Sequence, residues 1–142
     1  MCHLPEKKPQ QSLSEYSGEI YKHGCEALKD KNYDLSLIRG DRPEMLMIDA
    51  ASVYQKVPIF HIEVGVISGA TDEYVRHAIT KLSHIHFPDS ESAKQRIIRM
   101  GEDPKNVYMF GSLDTEFAMD VEKYPILPKP YVVVLYHPQP ND

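Results

Sequence analysis

The alternation of apolar and polar stretches along the chain predicts helices and strands in turn. Residues 13–29 space their apolar positions as an amphipathic helix, and residues 33–38 form a short apolar run that stops at a Gly-Asp-Arg turn. A helix over residues 44–56 follows, and residues 57–64 have the β-branched and aromatic character of a buried strand. We expect these strands to be parallel, joined by a right-handed crossover.

The same alternation continues through the second half of the chain. It predicts a helix that begins at Thr71 or Asp72 and reaches residue 83, a strand at 84–87, a helix at 88–100, a strand at 107–110, a helix at 114–121 and a strand at 131–136. This repetition indicates an α/β fold, an open parallel Rossmann-like sheet with flanking helices. In such sheets, ligands lie beyond the carboxyl ends of the strands.

Composition divides the chain into three parts and excludes several classes of protein. Residues 1–12 are a polar leader that we expect to be disordered, residues 13–123 are the main domain, and residues 124–142 are a Pro-rich linker with one strand. The net charge of -5 comes from interspersed acids and bases, which argues against a nucleic-acid partner. The absence of a long apolar run or signal core predicts a cytoplasmic protein without a membrane partner. The two cysteines support neither a disulfide framework nor a thiolate metal site.

Polar side chains follow the predicted strands, where they should converge on one edge of the sheet. Arg42 offers a planar fork for a phosphate or carboxylate, beside the positive end of the helix that follows. An ion pair with Glu44 or Asp41 is the simpler interpretation, favoured by roughly two to one on the short motif alone. Gly111, Ser112 and His137 follow later strands, and an exposed terminal histidine is the alternative for His137.

Two further groups of residues suggest chemistry. His61 and Glu63 alternate along one strand, so their side chains should leave the same face, and Glu63 interrupts an apolar run either as a functional carboxylate or as half of an ion pair. Asp72 and Arg76 have helical i,i+4 spacing, which suits a site or a simple surface bridge.

Metal and nucleotide motifs are missing from the sequence. No two histidines have the H-E-x-x-H spacing, so no metal is predicted. The absence of the G-x-S-x-G, Walker and G-x-G-x-x-G motifs argues against serine hydrolases, P-loop proteins and ordinary dinucleotide-binding enzymes.

Three segments in a fixed order, residues 40–46, 58–63 and 72–84, resemble the hydrolysing UDP-N-acetylglucosamine 2-epimerases. The resemblance continues through residues 99–102, 107–112 and 136–138, and it covers residues 13–142. It implies two Rossmann-like domains in a GT-B-like arrangement, with the nucleotide sugar between them. The implied reaction eliminates UDP from UDP-N-acetylglucosamine and then adds water to give N-acetylmannosamine for sialic-acid-type synthesis, and it requires no cofactor.

The resemblance also implies the site residues. It implies catalytic roles for Asp41, Glu63, Asp72 and His137, and contacts to substrate or UDP for Arg42, His61, Arg76, Gly111 and Ser112. The best allocation makes Glu63 and Asp72 the proton-transfer groups, puts Arg42 and His137 on the UDP side, and has Asp41 orient Arg42 or the sugar.

The sequence departs from the family pattern in one loop and in its extent. Val64, Gly65 and Val66 stand in the loop where relatives have a glycine pair and an acidic residue, and a β-branched Val64 would be strained if the loop needs positive φ there. Relatives begin earlier and continue into a second domain, so we expect an incomplete epimerase with exposed strand edges and apolar faces. The alternatives are a noncatalytic nucleotide-sugar-binding fragment that docks on a complete epimerase, and a functionless truncated product. Association into homo-oligomers is a further expectation.

Overall fold

A computed structural model describes residues 3–69, 71–119, 128 and 130–136. The elements run α1 (Leu13–Leu28), β1 (Ser36–Arg39), α2 (Pro43–Tyr54), β2 (Ile59–Ile62), α3 (Thr71–Leu82), β3 (Ile85–Phe87), α4 (Glu91–Arg99), a short 3-10 helix (Pro104–Asn106) and α5 (Leu113–Met119). The strands form a parallel sheet of order β1-β2-β3, in which Ile38, His61 and His86 lie in register. The predicted α/β class with parallel strands is confirmed.

Local signals explain where the helices begin. Ser12 and Glu15 form a capping box at the start of α1, and the Ser90 hydroxyl accepts a hydrogen bond from the Ala93 amide at the start of α4. Pro43 opens α2, where a missing N–H costs nothing. These caps confirm the helix starts read from the sequence to within about three residues.

Two apolar clusters hold the helices to the sheet. The first contains Ile38, Ile59 and Ile79, and partly buried side chains of α2 and α3 pack around it. The second contains Val64, Ile97 and Val107 and fixes α4 against the segment that follows β2. Each of these buried aliphatic side chains contributes about 1.5–3 kcal/mol through removal from water. Packing on this one face therefore sets where the strand ends lie.

The opposite face of the sheet is apolar and only partly covered by the described part of the chain, where Phe110 and Leu113 line one cavity with Phe60 and Phe87. Leu37 on this face is 58% exposed, and Phe60, Phe87, Tyr108 and Phe110 form a row of rings whose neighbouring centroids lie 6.1 to 6.3 Å apart. The expectation of an exposed apolar face is confirmed within residues 3–69 and 71–119.

Two predicted strands are wrong. Residues 107–110 form only one bridge, between Val107 and His86, with the Tyr108 amide donating to the His86 carbonyl. The next ladder bond would have to come from the nitrogen of Pro88, which carries no hydrogen. Residues 131–136 form no strand and lie outside the three-stranded sheet, although their composition favours one. A strand needs the ladder bonds of a neighbour, so apolar composition alone does not produce it.

Other boundaries differ by a few residues. The first strand runs over Ser36–Arg39 instead of residues 33–38, and α5 covers Leu113–Met119 of the predicted 114–121. Residues 120–127, 129 and His137 lie outside the described residues. None of the helices in the described ranges has both the length and the apolar character needed to cross a bilayer.

Candidate active site

The carboxyl ends of β1, β2 and β3 surround an open pocket of about 260 Å³. Loops that follow the strands supply most of its wall, as expected for an open parallel sheet. The lining residues are Gly40, Asp41, Glu63, Val66, Arg76, Asp89, Ser112 and Asp114. The pocket thus brings together four of the residues predicted from the sequence, namely Asp41, Glu63, Arg76 and Ser112.

Arg76 ties two walls of the pocket together. Its Nη2 donates a short hydrogen bond to Asp41 Oδ2, and its Nη1 donates to the Val66 carbonyl at 2.7 Å. Only 9% of the Arg76 side chain is exposed. Asp41 therefore pairs with Arg76 and not with Arg42, which pairs with Glu44, and the suggestion that Asp41 orients the sugar stays a prediction.

Asp72 does not pair with Arg76, because that guanidinium reaches Asp41 and Val66 instead. Asp72 is exposed in the first turn of α3 and does not line the pocket. Glu73 is the residue that supports the start of this helix, since its Oε2 accepts hydrogen bonds from the Ser68 and Gly69 amides. The i,i+4 bridge suggested by the sequence is therefore absent.

Glu63 sits in a left-handed backbone conformation directly after β2, with φ 61°. Its Oε1 lies 2.6 Å from Arg39 Nη2, and the same Nη2 lies 2.7 Å from Asp114 Oδ1. These two carboxylates raise the pKa of the Arg39 guanidinium above its usual value. Glu63 is thus held by an ion pair, which was the alternative left open from the sequence.

His61 lies beneath the pocket and does not line it. Its side chain is fully buried, and Nε2 donates to the Gly40 carbonyl at 2.9 Å, since a carbonyl oxygen only accepts. Burial lowers the pKa of His61 to about 4, so the imidazole is neutral near pH 7. His61 supports the Gly40–Asp41 turn from below, and the expectation that it shares a face with Glu63 is wrong because the strand ends at Ile62.

Arg42 points to a different cavity. Its Nη2 and Nε donate to the two carboxylate oxygens of Glu44 at 2.9 and 3.2 Å, and this pairing lowers the pKa of Glu44. Both residues line a cavity of about 650 Å³ together with leader residues such as Leu4 and Pro5. The ion-pair interpretation of Arg42 is confirmed.

The turn before α5 completes the pocket. Gly111 has φ 95°, which suits glycine, and it lines the neighbouring apolar cavity, whereas Ser112 lines the pocket itself. His137 is not among the described residues. Sequence reasoning missed Arg39, Asp89 and Asp114. Asp89 and Arg39 stand at strand ends, which is the signal that could have found them.

The pocket is lined by four carboxylates, most of which pair with arginines. The carboxylates come from Asp41, Glu63, Asp89 and Asp114. Asp41 pairs with Arg76, and Glu63 and Asp114 both pair with Arg39. One Asp89 oxygen is buried without a hydrogen-bond partner among the described residues. Within these residues, no group of three or more His, Cys, Asp or Glu is arranged to hold a metal ion.

A parallel α/β sheet with flanking helices and polar residues at its strand ends is a Rossmann-like arrangement. A profile of the family described as UDP-N-acetylglucosamine 2-epimerase matches residues 2–142. The chain therefore belongs to this family.

Named relatives agree with the family match. The chain is 38% identical over 123 residues to the UDP-N,N'-diacetylbacillosamine 2-epimerase (hydrolyzing) of Legionella pneumophila, which covers 80% of this chain and 33% of the relative. It is 36% identical to the polysialic acid biosynthesis protein P7 of Escherichia coli, over 78% of this chain and 31% of that protein. The chain thus spans about a third of the length of the curated relatives it matches.

Solved structures give the same result. The UDP-GlcNAc 2-epimerase of Neisseria meningitidis, solved with UDP-GlcNAc bound, superposes with a TM-score of 0.73 at 28% identity and covers 80% of this chain and 32% of that one. A structure from Listeria monocytogenes reaches 0.76 at 21% identity over 86% of this chain and 35% of that one, and it shows the fold alone.

Proposed function

We propose that the chain carries the acidic part of the active site of a hydrolysing nucleotide-sugar 2-epimerase. The observation that supports this most directly is the pocket that unites Asp41, Glu63 and Arg76, within a member of the epimerase family. The reaction proposed is the conversion of UDP-N-acetylglucosamine to N-acetylmannosamine and UDP.

The proposed chemistry is redox-neutral and needs only proton transfer and charge stabilisation. A base removes the proton from C2 of the sugar, and the C1–O bond breaks with its electron pair leaving on UDP, which gives a glycal. Water then adds its oxygen to C1, and C2 takes a proton on the opposite face. We assign the first proton transfer to Glu63, because it lines the pocket whereas Asp72 does not. For Asp72 we propose the second proton transfer, and for His137 a place on the UDP side, as the resemblance implies.

The substrate class follows from what the relatives' names share. Relatives from Legionella pneumophila and Campylobacter jejuni are named for a diacetylated amino sugar, and two from Neisseria meningitidis for UDP-N-acetylglucosamine. We therefore propose a UDP-linked 2-acetamido sugar as substrate. A cytoplasmic location and a role in sialic-acid-type synthesis are part of the same proposal, and the name of the Escherichia coli relative supports the second.

Release of UDP tests the proposal. Purified protein is incubated separately with UDP-N-acetylglucosamine and with UDP-N,N'-diacetylbacillosamine, and UDP is measured with a coupled assay. Glu63→Gln should reduce turnover at least roughly 100-fold, as expected for loss of a general base. The matched control is Glu91→Gln, an exposed position in the first turn of α4.

The same Glu-to-Gln change at the equivalent position of a full-length relative provides the second arm. Unchanged turnover there would show that Glu63 has another role.

Binding without turnover is the second candidate function. The ion pair that occupies Glu63 and the partly uncovered apolar sheet face favour it, because both suit a nucleotide-sugar-binding chain that docks on a complete epimerase. Titration with UDP separates the two functions. Saturable binding without UDP release supports the second, whereas release supports the first.

A further inference from the structure

A reaction that releases UDP needs a cationic donor beside the departing diphosphate. Arg76 is poorly placed for this, because its side chain is 9% exposed and donates to Asp41 and the Val66 carbonyl. Arg42 donates to both oxygens of Glu44 in the separate cavity near the leader. Arg42 is 76% exposed but lies in that other cavity, so neither arginine implied by the resemblance is placed to receive a phosphate beside Glu63.

Arg39 lies at the border of the pocket, where its Nη2 reaches Glu63, and it lines an adjoining cavity of about 430 Å³ together with Asp114. It is the last residue of β1, and 49% of its side chain is exposed. Both of its hydrogen bonds come from Nη2, so the three N–H donors on Nε and Nη1 have no partner within the described ranges. A half-exposed guanidinium with unused donors at a strand end is suited to a phosphate group.

We propose that Arg39 binds the diphosphate of the nucleotide sugar, an inference that rests on the proposed function above. Its two present partners, Glu63 and Asp114, are carboxylates, and a diphosphate competes with them for the same cation. As Arg39 turns to the phosphate, Glu63 loses its partner at 2.6 Å and becomes available as a base. Substrate binding and release of the proton-transfer carboxylate are thus one event.

The sequence alone does not mark Arg39 as a site residue. Arg39 stands directly before the Gly-Asp-Arg motif at which the family resemblance begins, and its strand reads as apolar up to Ile38. Only the structure shows that a residue of β1 reaches both Glu63 after β2 and Asp114 in α5.

Calorimetric titration of the full chain tests the proposal with UDP, inorganic pyrophosphate and uridine as probes. Arg39→Leu should weaken binding of UDP and pyrophosphate about 10- to 100-fold, the loss expected for a charge-assisted hydrogen-bonded pair, and leave uridine unchanged. Arg39→Lys keeps the charge without the planar fork and should give a smaller loss. The control is Arg99→Leu, the same substitution at an exposed position in the last turn of α4, which should bind like the unaltered chain. Circular dichroism tests whether each variant is folded. If Arg39→Leu is unfolded, the affinities of Arg39→Lys for UDP and pyrophosphate test the proposal instead.

Four results would overturn the inference. UDP affinity of Arg39→Leu within about two-fold of the unaltered chain would exclude a phosphate contact while leaving the proposed function intact. If Arg42→Leu loses UDP binding and Arg39→Leu does not, the residue that binds the diphosphate is Arg42. An equal loss for uridine would show that Arg39 acts through the structure of the site. If the unaltered chain binds neither UDP nor pyrophosphate, the proposed function fails together with the inference.

Discussion

Asp49 is a buried carboxyl group that lowers the stability of the protein in a pH-dependent way. It lies in α2, is fully buried, and neither carboxylate oxygen has a hydrogen-bond partner among the described residues. Because ionisation inside an apolar environment is unfavourable, burial raises the pKa of Asp49 from 3.8 to about 7. The folded state therefore retains a proton that the unfolded chain loses at much lower pH.

The size and sign of the effect follow from these two pKa values. Each pKa unit corresponds to about 1.4 kcal/mol, so the ionised side chain destabilises the fold by about 4 kcal/mol above pH 7. At Asp49 the folded state binds more protons than the unfolded state between the two values, and the contribution of Asp49 to stability therefore falls as pH rises from about 4 to about 7. Below pH 4 the penalty disappears, because both states are protonated.

Asp49→Asn removes the ionisation while keeping a side chain of similar shape. Urea unfolding followed by circular dichroism at pH 5 and pH 8 gives the free energy of unfolding of both proteins. The variant should gain about 2 to 3 kcal/mol relative to the unaltered protein between these pH values. A difference between the two proteins that stays constant from pH 5 to pH 8 would refute the reasoning. Asp34→Asn, at an exposed position in the segment before β1, is the control and should show no such trend.

Two other variants test the loop after β2 and the histidine beneath the pocket. Gly65→Ala should lower the free energy of unfolding by more than about 2 kcal/mol, because Gly65 has φ 84° and an added Cβ would lie 2.6 Å from the Ala93 carbonyl oxygen. Gly69→Ala, with φ 72° but open space, should cost only about 1 kcal/mol in the same urea experiment, and equal losses would contradict the steric argument. The lowered pKa of His61 predicts a stability loss of about 3 kcal/mol as pH falls from 6.5 to 4, because the unfolded state then binds the extra proton, and His61→Gln should remove this slope.

The order of elements was predictable because it depends on local signals. The β-branched run before Glu63 and the cap at Ser90 are read within a few residues, and both gave elements where the structure has them. The strand predicted at residues 107–110 failed for a non-local reason, since the missing N–H belongs to Pro88 in the partner segment. Register and ladder length depend on the neighbour, and sequence position alone does not report them.

The site was predicted as a set of residues but not as a set of pairs. Asp41, Glu63, Arg76 and Ser112 do converge on one pocket, as strand-end reasoning and the resemblance indicated. Their partners were wrong, because Arg76 joins a carboxylate 35 positions away instead of the one at i,i+4. An i,i+4 pair is worth only about 0.5 kcal/mol, so a partly buried carboxylate and a backbone carbonyl easily outcompete it.

The loop that departs from the family pattern shows where glycine is required. Val64 does not have positive φ; Glu63 and Gly65 on either side of it do. Val64 is instead fully buried against Ile97 and Val107, so its branched side chain contributes to the packing of α4. Gly65 is the position that α4 approaches too closely for a side chain. Glu63, the residue proposed to move the proton, is therefore the non-glycine residue with positive φ in this turn. That backbone conformation costs about 1–3 kcal/mol. Because this conformation starts directly after β2, it directs the Glu63 carboxylate toward Arg39, while the Val64 side chain stays in the apolar cluster with Ile97 and Val107.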